Sequence, residues 1–136
     1  MSKYQSRPHV TYNIGYHVVF CPKYRYNLLR YRAADELKRL LTAKASDLGI
    51  TVRTMEVMPD HVHLFLNAPP SLSIDYVVEQ LKGYSSYHLR KQSAYLRKYP
   101  SLWTRSYFVE TVGHISEKTV VHYIESQKSK ALSSPG

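Results

Sequence analysis

The sequence predicts an α+β fold, an antiparallel sheet with helices packed on one face. Two observations predict it. Stretches rich in Val, Ile, Tyr and Thr alternate with stretches whose apolar residues recur at helical spacing. Their order along the chain is strand, helix, strand, strand, helix, strand, helix. The first six elements make the split βαβ arrangement of a ferredoxin-like βαββαβ fold, and a further helix follows at the C-terminus. The chain has 136 residues, 43% of them hydrophobic, which is one domain's worth and enough for a core. No repeat, low-complexity tract or long linker divides it, so residues 1–136 are expected to form a single domain.

The first strand is expected over residues 10–21, with Pro22 as its stop. From Ala33 to Leu48, the positions Leu37, Leu40, Leu41, Ala45 and Leu48 lie on one helical face, and Gly49 suits the end of that helix. Residues 50–58 alternate around Val52, Met55 and Val57 as a strand does. Pro59-Asp60 makes a turn into another strand over 61–67. Ser73 caps a helix running to about Lys91, with Ile74, Val77, Val78 and Leu81 inward and Gly83 as a point of bending. A shorter helix and a loop fill 92–104, and a fourth strand fills 105–113, ended by Gly113. A last helix starts near Ser116-Glu117 and runs to about Ser129.

Composition excludes several classes. No apolar run approaches 18 residues, so no membrane helix is expected. The N-terminal MSKYQSRPHV lacks the apolar core of a secretory signal. The single cysteine, Cys21, excludes an internal disulfide and Cys-based zinc fingers. A cytoplasmic protein is expected. The net charge of +9 points to an anionic partner. The charge is uneven, since residues 1–33 carry Lys3, Arg7, Lys23, Arg25, Arg30 and Arg32 and no acid. Thirteen of the aromatics are tyrosines, and many interleave with Lys and Arg, as in Lys23-Tyr24-Arg25-Tyr26 and across Tyr84 to Tyr99. That pattern suits single-stranded nucleic acid, whose bases stack on rings and whose phosphates meet cations. The plainer alternative is a solvated basic surface with half-buried tyrosines.

Two short motifs carry chemistry. In His61-Val62-His63-Leu64-Phe65-Leu66 the alternation sends Val62, Leu64 and Leu66 to the core. His61 and His63 then share the other face and could together hold one divalent metal. Seven histidines give about 0.3–0.4 such pairs by chance, so the pair alone is a weak signal. The second motif is His122-Tyr123-Ile124-Glu125-Ser126-Gln127, where Tyr123 and Gln127 stack on one helical face. A tyrosine at a metal site can act as nucleophile, and an amide oxygen can be a ligand. Packing beside Val120, Val121 and Ile124 is the plainer reading of that tyrosine.

Together the motifs resemble the single-tyrosine HUH transposases of the insertion-sequence 200/605 type. Supporting segments are Cys21-Pro22-Lys23-Tyr24-Arg25, Met58-Pro59-Asp60-His61-Val62-His63, Leu102-Trp103-Thr104 with Ser106, Thr111-Val112-Gly113 and Tyr123-Ile124-Glu125-Ser126-Gln127. The resemblance spans roughly residues 9–128, and the chain reads as short and complete. It implies that His61, His63 and Gln127 hold Mg²⁺ or Mn²⁺ and that Tyr123, on a C-terminal catalytic helix, attacks a scissile phosphate. It further implies a 5′-phosphotyrosine intermediate, single-stranded DNA with hairpins at the element ends as substrate, and a homodimer whose catalytic helix sits either in cis or, with active sites shared, in trans. Gly113 to Glu117 would be the link that permits such sharing. For DNA contacts the expected residues are Lys23, Arg25, Lys82, Arg90, Lys91 and Arg105. Glu56 and Asp60 lie near the histidine strand, as a surface acid and a turn former or as groups that position water or metal. His88, His114 and His122 receive no role. The rival readings are a non-catalytic nucleic-acid binding module on the same fold and an HUH nickase acting on chromosomal repeats. An acid-cluster nuclease ranks last, because ten acids are spread without grouping.

Overall fold

The computed structural model describes residues 5–7, 10–112 and 125. Its main sheet has four antiparallel strands: β3 (Gly15–Phe20), β4 (Thr51–Met58), β5 (His61–Asn67) and β6 (Phe108–Val112). They lie in the order β4-β5-β3-β6. Helix α1 (Arg32–Leu48) connects β3 to β4, and helix α2 (Ile74–Gln92) connects β5 to β6. This is the split βαβ order expected from the sequence. A separate two-stranded ribbon pairs β1 (Gln5–Arg7) with β2 (Val10–Tyr12).

The core forms where the two helices meet one face of the sheet. The sheet contributes Val18, Phe20, Val62, Leu64 and Leu66, all at most 1% exposed. Helix α1 contributes Leu37, Leu40, Leu41 and Ala45, and α2 contributes Val77, Val78, Leu81 and Leu89, each set at helical spacing. Trp103 closes one end, edge-on to Phe20 at 4.7 Å between ring centroids. Its indole N–H donates to Ser85 Oγ at 3.0 Å, so its polar atom is satisfied inside the core.

The helix ends follow local chemistry. Ser73 Oγ accepts from the Tyr76 N–H at 3.1 Å, the expected N-cap of α2. Gly49 ends α1 at φ 76°, a left-handed position that glycine occupies without a Cβ clash. Gly83 does not break α2, which runs through it.

Three expected elements differ. The strand expected over 10–21 is two strands on two sheets, β2 and β3. The Ile14 carbonyl between them accepts from the Ala68 N–H at 3.2 Å and from Asn67 Nδ2 at 3.1 Å. That carbonyl therefore closes the end of β5 instead of extending one ladder. The strand expected from residue 105 begins at Phe108, because the Lys82 ammonium takes the carbonyls of Thr104, Arg105 and Ser106. The short helix expected within 92–104 is a 3-10 turn, Leu96–Lys98.

Gly15 is the tightest point of the sheet. A Cβ built there meets the Phe65 ring at 3.0 Å and Val112 Cβ at 3.3 Å. Gly15→Val is expected to lower folding stability by about 1–3 kcal/mol, read by chemical denaturation.

Candidate active site

The register of β5 assembles the site. His63 is paired with Val19 on one side and Glu56 on the other, His61 with Met58, and Phe65 with His17. Cross-strand partners share a face, so His61, His63, His17 and Glu56 lie together opposite the helices. The two histidines of the motif are thus brought to one face, as their spacing predicts. His61 is buried and His63 half-buried.

A carboxylate and a guanidinium fix His61. Its Nδ1–H donates to Asp60 Oδ1 at 2.9 Å, and Arg25 Nη2 donates to Asp60 Oδ2 at 2.5 Å. A proton held at Nδ1 leaves the ring's lone pair on Nε2, the nitrogen that a metal takes. Burial acts to raise the Asp60 carboxyl. The hydrogen bond from His61 and the charge and hydrogen bond of Arg25 outweigh it and hold the group below the ordinary carboxylate range.

Arg25 reaches Asp60 through a strained turn. Pro22 ends β3, and a 3-10 turn follows over Lys23–Arg25. Tyr24 and Arg25 both have left-handed backbone, φ 58° and 54°. Such positions cost about 1–3 kcal/mol each for residues with a Cβ. The turn is held by the Lys23 N–H bonded to Leu102 O at 2.9 Å and the Thr104 N–H bonded to Cys21 O at 3.0 Å. It sends Arg25 inward, where Nε and Nη1 are buried with no hydrogen-bond partner among the described residues. Arg25 thus keeps two buried donors beside its ion-paired nitrogen. Cys21, next to the turn, is buried, and that burial pushes its thiol up.

His17 was not singled out by the sequence reading. Its Nδ1 lies 3.2 Å from His63 Nε2, and its ring stacks on Phe65 at 5.0 Å between centroids. His17 thus engages His63 at Nε2, the ring nitrogen opposite to the one through which Asp60 holds His61. The signal was a histidine in the neighbouring strand, and it becomes legible only once the register is known.

The six cations expected to contact DNA are placed differently from one another. Lys23 is partly exposed, while Lys91 and Arg105 are exposed. Lys91 Nζ lies 5.8 Å from the Tyr87 ring. Arg90 is half-buried, and its Nε has no hydrogen-bond partner among the described residues. Lys82 is only 7% exposed, and its ammonium donates to Thr104 O at 2.8 Å, Arg105 O at 3.2 Å and Ser106 O at 3.5 Å. It holds the loop before β6, and burial lowers its pKa. The same loop and α2 border a cleft of about 500 Å³, lined in part by Glu79, Ser86, Trp103 and Arg105.

The donor set of the histidine pair fits a divalent cation in part. Two imidazoles share a face, and the Asp60 bond leaves the His61 Nε2 lone pair as the one that could ligate a cation. Among the described residues no group of three His, Cys, Asp or Glu converges on one point. The expected third ligand, Gln127, lies outside the described residues, as do Tyr123, His114, His122 and the link from Gly113 to Glu117. Within the last expected helix, Glu125 is helical and exposed. No helix among the described residues is long and apolar enough to cross a membrane.

In sequence and in fold the chain is similar to known transposases. The family described as Transposase IS200 like matches residues 10–127. The ISDra2 transposase TnpA of Deinococcus radiodurans is 40% identical over 122 residues, 88% of this chain and 87% of that protein. The transposase for insertion sequence element IS200 of Salmonella typhimurium is 34% identical over 138 residues, 94% of this chain and 88% of that protein. A crystal structure of a candidate transposase from Deinococcus radiodurans R1 superposes with a TM-score of 0.78 at 37% identity, covering 90% of this chain and 96% of the other. A REP-associated tyrosine transposase bound to a REP hairpin shares the fold, with a TM-score of 0.57 at 16% identity, covering 95% and 74% of the two chains.

The Asp60 bonds predict a pH dependence. A carboxyl held low in the folded state contributes stability that is complete above its unfolded value, about 3.9, and lost as pH falls through the lower folded value. Asp60→Asn is expected to cost about 1–3 kcal/mol at pH 7. In urea titrations across pH, its deficit against the parent chain should shrink below about pH 4.

Proposed function

The chain belongs to the IS200-like transposase family, and we propose that it cuts and rejoins single-stranded DNA at insertion-sequence ends by tyrosine transesterification. The observation that carries this reading is the histidine pair on one sheet face, with Asp60 directing the His61 lone pair, inside a family match that extends through Tyr123 and Gln127. The family implies DNA cleavage and strand transfer in general terms. The chemistry that follows is our assignment.

His61 through Nε2, His63 and Gln127 would hold Mg²⁺ or Mn²⁺. When bound, such a cation polarises the scissile phosphate and neutralises charge on its non-bridging oxygens. Arg25 supplies buried donors beside the same site and orients a phosphate oxygen. Tyr123 attacks phosphorus through its phenolic oxygen and loses its proton. A new P–O bond forms to Tyr123, the P–O3′ bond breaks, and the departing 3′ oxygen takes up a proton. The products are a 5′-phosphotyrosine and a free 3′-OH. Attack by another 3′-OH reverses the step and joins new ends. One phosphodiester replaces another, so no nucleotide is consumed. Asp60 acts as a positioning residue, holding the ring of His61.

Recognition follows the same reading. The substrate is single-stranded DNA with hairpins near the element ends, as the hairpin-bound REP neighbour illustrates for its own ligand. Lys23, Lys91 and Arg105 meet the phosphate backbone and Arg90 assists, while Lys82 acts indirectly by holding the 104–106 loop. The working unit is a homodimer whose sites combine the histidines of one chain with the tyrosine of the other.

Incubating the chain with labelled single-stranded element-end DNA and Mn²⁺ should give a covalent protein–DNA band on a denaturing gel. Tyr123→Phe should abolish the band without changing hairpin affinity, and Asp60→Asn should slow its formation about 10–100-fold. Tight hairpin binding with no adduct under any metal would replace this reading with a binding module. A mixed dimer of His61→Ala and Tyr123→Phe chains should still cleave, because one composite site keeps both groups. Loss of cleavage there would place the tyrosine in cis.

A further inference from the structure

The exposed tyrosines form a pattern that composition alone does not show. Among the described residues, every exposed large hydrophobic side chain except Met58 is a tyrosine. Four of the chain's tyrosine rings make a continuous row where the turn after β3 meets the segment after α2. Ring centroids are 5.7 Å apart from Tyr24 to Tyr26, 5.9 Å from Tyr26 to Tyr99 and 6.0 Å from Tyr99 to Tyr95. Tyr24, Tyr26 and Tyr95 are 59%, 46% and 56% exposed, and Tyr99 is half-exposed. Lys23 Nζ lies 5.8 Å from the Tyr24 ring and Lys98 Nζ lies 5.4 Å from the Tyr95 ring. Neither segment, 22–26 or 95–99, contains an acid.

The row is built and not incidental. The left-handed turn that sends Arg25 toward Asp60 sends its neighbours Tyr24 and Tyr26 to the surface. The backbone bonds from Lys23 to Leu102 and from Thr104 to Cys21 tie that turn to the chain after α2. Leu96, the aliphatic residue between Tyr95 and Tyr99, is buried, so the surface offers rings and cations without an aliphatic centre. A protein-docking face usually has an apolar core patch, whereas rings flanked by cations suit bases joined by phosphates. A duplex stem hides its base faces, so the rings can take only unpaired nucleotides.

We propose that Tyr24, Tyr26, Tyr99 and Tyr95 form a stacking track for unpaired bases of single-stranded DNA next to the histidine site, with Lys23 and Lys98 meeting its phosphates. The inference rests on the single-stranded DNA reading above and adds the surface that guides the strand. Tyr24 and Tyr26 flank Arg25 in the chain, and Arg25 pairs with Asp60, which holds His61.

The test is fluorescence anisotropy on the full chain without divalent cation, using labelled oligothymidylate of about 12 nucleotides and an abasic strand of equal length. The abasic strand keeps the phosphates and removes the bases. Tyr26→Ala with Tyr99→Ala should weaken oligothymidylate binding at least tenfold and leave the abasic strand unchanged. Phenylalanine at both positions should restore binding, because it keeps the ring. Tyr24→Ala with Tyr95→Ala, at the more exposed ends, should act in the same direction. Unchanged oligothymidylate affinity in both alanine pairs, or an equal loss on both strands, overturns the track and leaves the tyrosines to a protein partner or to solvent. The covalent-adduct assay reads the catalytic proposal separately. Adduct formation with no base-dependent loss sinks the track alone. A base-dependent loss with no adduct keeps the track and sinks the chemistry.

Discussion

One register decides both the interior and the site. In β5, Val62, Leu64 and Leu66 are driven to the helix-covered face, opposite Val57, Met55 and Val52 on one side and Phe20, Val18 and Tyr16 on the other. The side-chain period of a strand is two, so this burial forces His61, His63 and Phe65 to the opposite face. A slip by one residue would bury the imidazoles and expose three core residues. The free energy that fixes the register is hydrophobic, on the order of 2–5 kcal/mol for each large aliphatic residue of such a core. The alignment of the histidines with His17 and Glu56 comes from the same force, and no polar contact has to enforce it.

Around that register the structure accepts local cost. Tyr24, Arg25 and Tyr31 all carry positive φ, and none is glycine. The first two sit where the chain leaves β3 and must turn to place Arg25 on Asp60. Backbone bonds to the 102–104 segment offset that strain. Strained non-glycine backbone that persists beside an ion pair and a candidate ligand is where a fold stores geometry for function.

What the sequence made legible was local. Helical spacing revealed Leu37, Leu40, Leu41 and Ala45 as one buried stripe, Ser73 and Gly49 marked helix ends, and His-x-His alternation placed the pair on one face. What stayed hidden depends on pairing between distant segments. His17 meets His63 across 46 residues, Arg25 meets Asp60 across 35, and Lys82 meets the 104–106 carbonyls across more than 20. Nothing near Lys82 in the sequence distinguishes a buried loop anchor from a phosphate-binding cation. The break between β2 and β3 was only hinted at by Asn13 and Gly15, two weak strand formers, because the partner of the Ile14 carbonyl between them lies on another strand.

The buried Cys21 has a practical consequence. Burial keeps its thiol protonated at neutral pH, and a thiol reacts with maleimides and disulfides only as the thiolate. The native chain therefore offers thiol-directed dyes almost nothing to attack. A cysteine introduced on the surface would be labelled selectively without first removing the natural one. The protein is in that sense already prepared for distance measurements between a strand of DNA and any chosen point on the tyrosine row.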